Sequence, residues 1–356
     1  MQTLDDRAYV AEYDIEQMMS VLDCFSRQCE EAIELGEQFV FSAIDRIDKV
    51  IVCGMGGSAM AGEFARRFAY IPCVVNRSYT LPALADSRTL LVAVSYSGNT
   101  EEVLSSLEQG IKTGIPALCI SSGGALKEVS KKSGLPFLEV PSGLQPRAAL
   151  GYLALPLLVA LSQVEVLNEI GPWENLLQSL ERIKTRCCFD APTAENPAKQ
   201  LACSLVGKIP LIYGTSDNTD LVAMRWKTQI NENAKQAAYW NAFPELNHNE
   251  IVALETPALM SSHFVILLRN AYDRDENIAR MKIMEDLFAE RSIPFTEVSA
   301  EGQSELSQLF SQVYLGDYAS YYLALLNKID PTPVHLIEQF KKALAERTNG
   351  HKRQAQ

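Results

Sequence analysis

Three hydroxyl side chains stand close together in the stretch Leu91-Val-Ala-Val-Ser-Tyr-Ser-Gly-Asn-Thr-Glu-Glu102: those of Ser95, Ser97 and Thr100. An apolar run precedes them, and Val103, Leu104, Leu107 and Ile111 follow at helical spacing. Hydroxyls at a strand-to-helix turn, where backbone amides are free, can together serve the oxygens of a phosphate. The turn carries no Lys or Arg, which suits a phosphomonoester better than a triphosphate. A blander reading makes Thr100 a helix N-cap, but a cap uses one hydroxyl and leaves the other two without a purpose.

A second turn, Gly54-Met-Gly-Gly-Ser58, ends the apolar run Val50–Cys53 and opens a helical pattern through Ala61, Phe64, Ala65 and Phe68. Its glycines let backbone approach a ligand, and the helix N-terminus offers free N–H groups at the positive end of a dipole. Gly56, Gly57 and Ser58 are therefore candidate anion ligands. The same residues satisfy a loose dinucleotide fingerprint, Gly54-x-Gly56-x-x-Ala59. That fingerprint wants an acid about twenty residues on, to hold ribose hydroxyls. The next apolar run, Cys73-Val-Val, ends instead in Asn76 and Arg77, of which Arg77 could meet a 2′-phosphate.

These turns need strands and helices to position them. Short apolar runs recur at Val50–Cys53, Cys73–Val75, Leu90–Val94, Ala117–Ile120 and Phe137–Val140, separated by helical patterns or loops. Such alternation predicts a parallel sheet covered on both faces. Residues 15–35 read as one amphipathic helix before this unit, through Met18, Met19, Leu22, Phe25, Cys29, Ala32 and Ile33. Pro141-Ser-Gly-Leu-Gln-Pro-Arg147 reads as a loop, with Pro146 starting a helix that bridges to the second half. From about Gly171 the order begins again. Helical patterns fill roughly 173–206, and Ile209–Tyr213 then meets Gly214-Thr-Ser-Asp-Asn-Thr219 and a helix. Phe264–Leu268 corresponds to Leu90–Val94, and Phe295–Val298 precedes a long helical C-terminus. The division expected is residues 1–165, residues 166–348 and a polar, frayed tail, 349–356.

At 356 residues the chain is comfortable for two domains. Its net charge of −12 argues against nucleic acid or an anionic membrane as partner. No apolar run reaches the ~18–20 residues of a membrane span, and the first thirty residues lack a signal pattern. The eight cysteines form no Cys-x-x-Cys, and four histidines show no paired spacing. These features imply reduced cysteines, a cytoplasmic location and no metal site.

The order Gly54-Met-Gly-Gly-Ser58 and then Ser95-x-Ser-Gly-x-Thr100 resembles the phosphosugar-binding signature of the sugar isomerase (SIS) domain family. A dinucleotide-binding dehydrogenase has no need for the second turn. In the second half, Arg225-Trp-Lys-Thr-Gln-Ile-Asn-Glu-Asn-Ala-Lys235 and Phe243-Pro-Glu-Leu-Asn-His-Asn-Glu250 resemble the bifunctional phosphoglucose/phosphomannose isomerases. So do Pro146-Arg147 and Asp330-Pro-Thr-Pro-Val-His-Leu-Ile-Glu-Gln-Phe-Lys341, and the likeness covers nearly the whole chain.

The resemblance implies two doubly wound α/β domains of SIS type, with mainly parallel sheets flanked by helices. It implies an aldose–ketose isomerase that interconverts glucose 6-phosphate, and mannose 6-phosphate, with fructose 6-phosphate through an enediolate. Such a reaction needs help in opening the sugar ring, a base to move a proton between C2 and C1, and a positive group for the enediolate. It needs no cofactor. On its own, Glu232 reads as a solvated carboxylate, and His248, Lys341 and Arg147 as surface groups. The likeness makes Glu232 the proton-transfer base, His248 and Lys341 the ring-opening groups, and Arg147 the partner of the enediolate. Lys342 is adjacent to Lys341 and competes for its role. The family places its matching histidine in the neighbouring subunit's site, which implies a homodimer with shared active sites. The competing reading is a non-catalytic phosphosugar-binding SIS regulator, which would have no use for these four side chains.

Overall fold

The computed structural model describes residues 2–41 and 46–354. Three short helices, α1 (Arg7–Tyr13), α2 (Met18–Asp23) and α3 (Phe25–Gln38), lead into the first sheet unit. That unit runs β1 (Lys49–Cys53), α4 (Gly56–Phe68), β2 (Cys73–Asn76), β3 (Thr89–Val94), α5 (Glu101–Lys112), β4 (Ala117–Ser121), α6 (Gly124–Ser133) and β5 (Phe137–Glu139). A 3₁₀ turn, Pro146–Ala148, opens α7 (Leu150–Gln163), and α8 (Trp173–Cys187) and α9 (Pro197–Leu205) follow. The second unit is β6 (Ile209–Thr215), α10 (Asp220–Asn233), β7 (Tyr239–Phe243), β8 (His263–Arg269), α11 (Asp275–Glu290), β9 (Phe295–Ser299), α12 (Glu305–Leu326) and α13 (His335–Gln354).

Every strand pair is parallel, in the orders β2-β1-β3-β4-β5 and β7-β6-β8-β9. β3 and β4 are wholly buried, which is why they read as unbroken apolar runs and not as alternation. In each sheet the chain steps to one side of its first strand and then returns to the other. The switch points therefore fall between β1 and β3 and between β6 and β8, and ligands of such sheets bind at the carboxyl ends there. The correspondence expected between Phe264–Leu268 and Leu90–Val94 holds, since β8 stands to β6 as β3 stands to β1.

The two units share one core. It contains Val50 and Val92 from the first sheet, Ile212 and Ile266 from the second, and α7 and α12 between them, both buried along almost their whole length. Gly36 permits α3 to cross α7 closely: a Cβ there would lie 2.8 Å from Cβ of Val159. Charge adds a second tie, as Arg66 on α4 pairs with Glu63 and reaches Asp217 and Asp220 of the second unit.

Three local expectations change. The helix expected over 15–35 is two helices, begun late because Asp14 accepts from the amides of Met18 and Met19 and fixes a turn, with Gln17 left-handed at φ 57°. β7 was not foreseen; Tyr239-Trp-Asn-Ala-Phe243 has no clean alternation. The polar segment after Thr348 does not fray at once, for α13 continues to Gln354.

Candidate active site

Cys53 is in register with Ala93, so the turns after β1 and β3 leave the first sheet side by side at its switch point. Ser58, in the first turn of α4, is buried and its Oγ accepts from the amide of Tyr96 at 3.2 Å. Ser95 is buried, and its Oγ stands 2.8 Å from Oγ1 of Thr100. Thr100 is the N-cap residue of α5 but makes no side-chain cap bond, so its hydroxyl faces Ser95 instead. Ser97 sits on the exposed rim, accepting from the amide of Asn99. Gly56 has φ +49° and open space where a Cβ would be. Gly98, at φ +69°, admits no side chain: a Cβ would lie 1.8 Å from the carbonyl oxygen of Gly123. Sequence reasoning missed this third turn, after β4, whose Ser121 and Ser122 hydroxyls donate to the Tyr96 carbonyl. Its Ser-Ser-Gly-Gly signal after a strand was there to be read.

Gly57 joins this cradle to Arg147. A Cβ on Gly57 would lie 2.8 Å from the carbonyl oxygen of Pro146 and 3.2 Å from Cα of Arg147, so backbone meets backbone there. Arg147 is 3% exposed. Its Nε donates to Oδ1 of Asn233 at 2.6 Å, and its Nη2 to the carbonyls of Pro331 at 2.8 Å and Thr332 at 2.7 Å. Its Nη1 is buried with no hydrogen bond and lies 3.6 Å from Oε2 of Glu232. Burial pushes the guanidinium pKa down, and Glu232 pulls it back up.

Glu232 and Asn233 end α10, whose inner face is fixed by α12. Arg225 donates to Asp317 and to the Arg147 carbonyl, Gln229 donates to Asp317, and Asn233 Nδ2 donates to the Ser320 hydroxyl. Trp226 packs so closely on Gly316 that a Cβ there would lie 2.1 Å from its Nε1. The Glu232 side chain keeps 26% exposure, enough to meet a ligand. None of Asn233, Arg225 and Asp317 was singled out from sequence, because a buried partner cannot be inferred before helices are paired.

Gly56, Gly57, Ser58, Ser95, Ser97 and Thr100 are thus gathered with Arg147 and Glu232 at one end of the first sheet. His248 and Lys341 are not. His248 ends a 3₁₀ turn after β7 and is exposed; Lys341 lies on α13 and is exposed, as is Lys342. Among the described residues neither His248 nor Lys341 makes a hydrogen bond or ion pair with another side chain. Among the described residues no group of three or more His, Cys, Asp or Glu side chains is placed to hold a metal ion. No helix among them is long and apolar enough to cross a membrane.

The chain is 42% identical over 326 residues to a bifunctional phosphoglucose/phosphomannose isomerase of Caldicellulosiruptor bescii, covering 90% of this chain and 96% of the relative. It belongs to the bifunctional phosphoglucose/phosphomannose isomerase family. A relative of the same description from Aquifex aeolicus is 36% identical over 300 residues, covering 83% of this chain and 90% of that one. The family model described as the bacterial phospho-glucose isomerase C-terminal SIS domain matches residues 194–344. In fold the chain is similar to a solved glucose-6-phosphate isomerase like protein of Thermus thermophilus, with TM-score 0.63 at 17% identity over 94% of this chain and 99% of that one. Family membership accounts for the two-sheet SIS architecture and for the order of the motifs along it.

Proposed function

We propose that the protein isomerises glucose 6-phosphate and mannose 6-phosphate to fructose 6-phosphate, and that the cleft between the β1 and β3 turns and the end of α10 is its active site. The observation that carries this reading is the pairing of Arg147 Nη1, a buried donor with no acceptor, with the carboxylate of Glu232 3.6 Å away. An enediolate oxygen beside the pair, at hydrogen-bond distance from Nη1, would supply the missing acceptor.

The substrate phosphate is held by the amides of Gly56 and Gly57 and the hydroxyls of Ser58, Ser95, Ser97 and Thr100, which leaves the carbonyl end toward Glu232. His248 and Lys341 open the ring. The Glu232 carboxylate then takes the proton from C2 of the aldose and Arg147 balances the charge on the enediolate; Glu232 returns the proton to C1 as the O2 hydroxyl proton passes to O1, which leaves the carbonyl at C2. Metal ions and redox cofactors have no part in these steps.

Because His248 is exposed, we assign it to the site of a second copy, in a cytoplasmic homodimer. Exposure of Leu336 at 80% and Phe340 at 68%, on the helix of Lys341, supports a covered surface there. The two halves, 1–165 and 166–348, are the structural units of this arrangement. A coupled assay with each of the three hexose 6-phosphates tests the reading. Turnover of glucose and mannose 6-phosphates to fructose 6-phosphate is expected, and binding without turnover would make the protein a sensor.

A further inference from the structure

Lys235 follows α10 by two residues and takes the left-handed conformation, φ 51°, which is uncommon for a residue with a side chain. Its ammonium meets four carbonyl oxygens: Glu232 at 2.8 Å, Pro331 at 2.9 Å, Asp330 at 3.1 Å and Asn233 at 3.3 Å. Two of these close the C-terminus of α10, where carbonyls lack helical partners and a cation is favoured. The other two belong to the turn between α12 and α13. The Pro331 carbonyl accepts from Arg147 as well, at 2.8 Å. One carbonyl oxygen thus joins the enediolate-facing guanidinium, from the first unit, to an ammonium held on the helix of the proton-transfer carboxylate.

We propose that Lys235 is a positioning residue of this isomerase site, tying the last turn of α10 to the Asp330–Pro331 turn and so setting Arg147 Nη1 against the Glu232 carboxylate. The inference rests on the roles given above to Glu232 and Arg147. Lys235 donates only to backbone carbonyls, so it acts through those two side chains.

The charged groups that face the ammonium are Arg147 from the turn before α7, Glu232 from α10, Asp330 from the turn after α12, and Glu16 from the turn before α2. Burial first, and then Arg147, bring its pKa down to about 8, against the opposing pull of Asp330, Glu232 and Glu16. In mild alkali the group loses its charge and one of three N–H donors, and the tie loosens. The rate then falls as pH rises through about 8.

The test compares pH profiles of kcat and KM for the wild-type protein, Lys235→Met and Lys235→Arg, with Glu232→Gln assayed beside them and folding followed by circular dichroism. Misplacing reacting groups by about 1 Å can cost 10²-fold, so Lys235→Met is expected to lower kcat by about ten- to a hundredfold with KM little changed. Lys235→Arg is expected to recover most of that loss and to move the alkaline limb upward, since a guanidinium stays charged beyond about pH 12. If Lys235→Met keeps wild-type kcat and the same alkaline limb while Glu232→Gln is inactive, the tie is refuted and the site assignment stands. Normal turnover by Glu232→Gln would remove the site assignment and this inference with it. If Lys235→Met does not fold, the arginine variant decides: a limb displaced upward upholds the inference, and a limb still near pH 8 overturns it.

Discussion

Arg147 Nη1 lies 3.6 Å from Oε2 of Glu232, beyond hydrogen-bond length, while the other two nitrogens of the guanidinium are saturated by Asn233, Pro331 and Thr332. The buried fork is held rigid and leaves one nitrogen, with its two N–H donors, free. On the proposed reading the positive group would be in place before an oxyanion forms, and little reorganisation would remain for the chemical step.

Glu232→Gln keeps the size of the side chain and removes its basicity. A positioned base contributes roughly 10²–10⁴-fold, so kcat is expected to drop by about that factor with KM little changed. Steady-state kinetics on fructose 6-phosphate check this. Turnover near the wild-type value would discard the isomerase mechanism.

Ser97 is the hydroxyl on the exposed rim of the proposed phosphate site, so its loss should touch binding and not folding. Removing one neutral hydrogen bond costs about 0.5–1.5 kcal/mol, which raises KM in Ser97→Ala roughly two- to tenfold at constant kcat. Its denaturation midpoint should match the wild type. An unchanged KM would take Ser97 out of the phosphate site.

Glu232→Gln and His248→Ala proteins, each inactive alone, are expected to regain activity when mixed under conditions that exchange subunits. A mixed dimer would hold one site with both wild-type residues. No recovery despite demonstrated exchange would mean that one chain supplies both groups, and the dimer would lose its catalytic purpose.

Gly98→Ala forces a Cβ against the main-chain oxygen of Gly123, at a φ of +69° that an L side chain rarely adopts. Overpacking and strain of this kind each cost about 1–3 kcal/mol. Urea denaturation should show a loss in that range or above, together with weakened sugar-phosphate binding. A stable variant with intact binding would show that the turn can relax.

The depressed Lys235 also leaves a mark on stability. Its folded-state pKa of about 8 lies below the ordinary 10.5, so between those values the unfolded chain binds more protons and stability rises with pH. The signature is a difference: across that window the stability of wild-type protein should climb relative to Lys235→Met. A flat difference curve would contradict the shift.

Much of the fold could be read from the chain because buried parallel strands announce themselves. Leu90–Val94 and Ala117–Ile120 are apolar on both faces and end in glycine or hydroxyl turns. The break between α2 and α3 could not be read: Cys24 keeps helical angles of φ −89° and ψ 0°, so the apolar spacing runs through it undisturbed. The glycine- and hydroxyl-bearing turns after β1 and β3 were legible as local structure. Asn233, Arg225 and Lys235 were not, since each acts on a partner far along the chain. The four carbonyls around Lys235 come together only where α10 stands beside the turn after α12.

The contact between Gly57 and the Pro146–Arg147 backbone has a consequence for which sugars fit. On the proposed reading it works as a caliper. One jaw grips the ester phosphate and the other presents Arg147 and Glu232, with main chain and no adjustable side chain at the joint. The opening between the jaws counts carbon atoms. A hexose 6-phosphate would fill it, while a pentose 5-phosphate, one carbon shorter, would reach the anchor or the proton-transfer end but not both. Chain-length selectivity would then reside in backbone, out of reach of ordinary side-chain substitutions, and Gly57→Ala would alter it by resetting the gap.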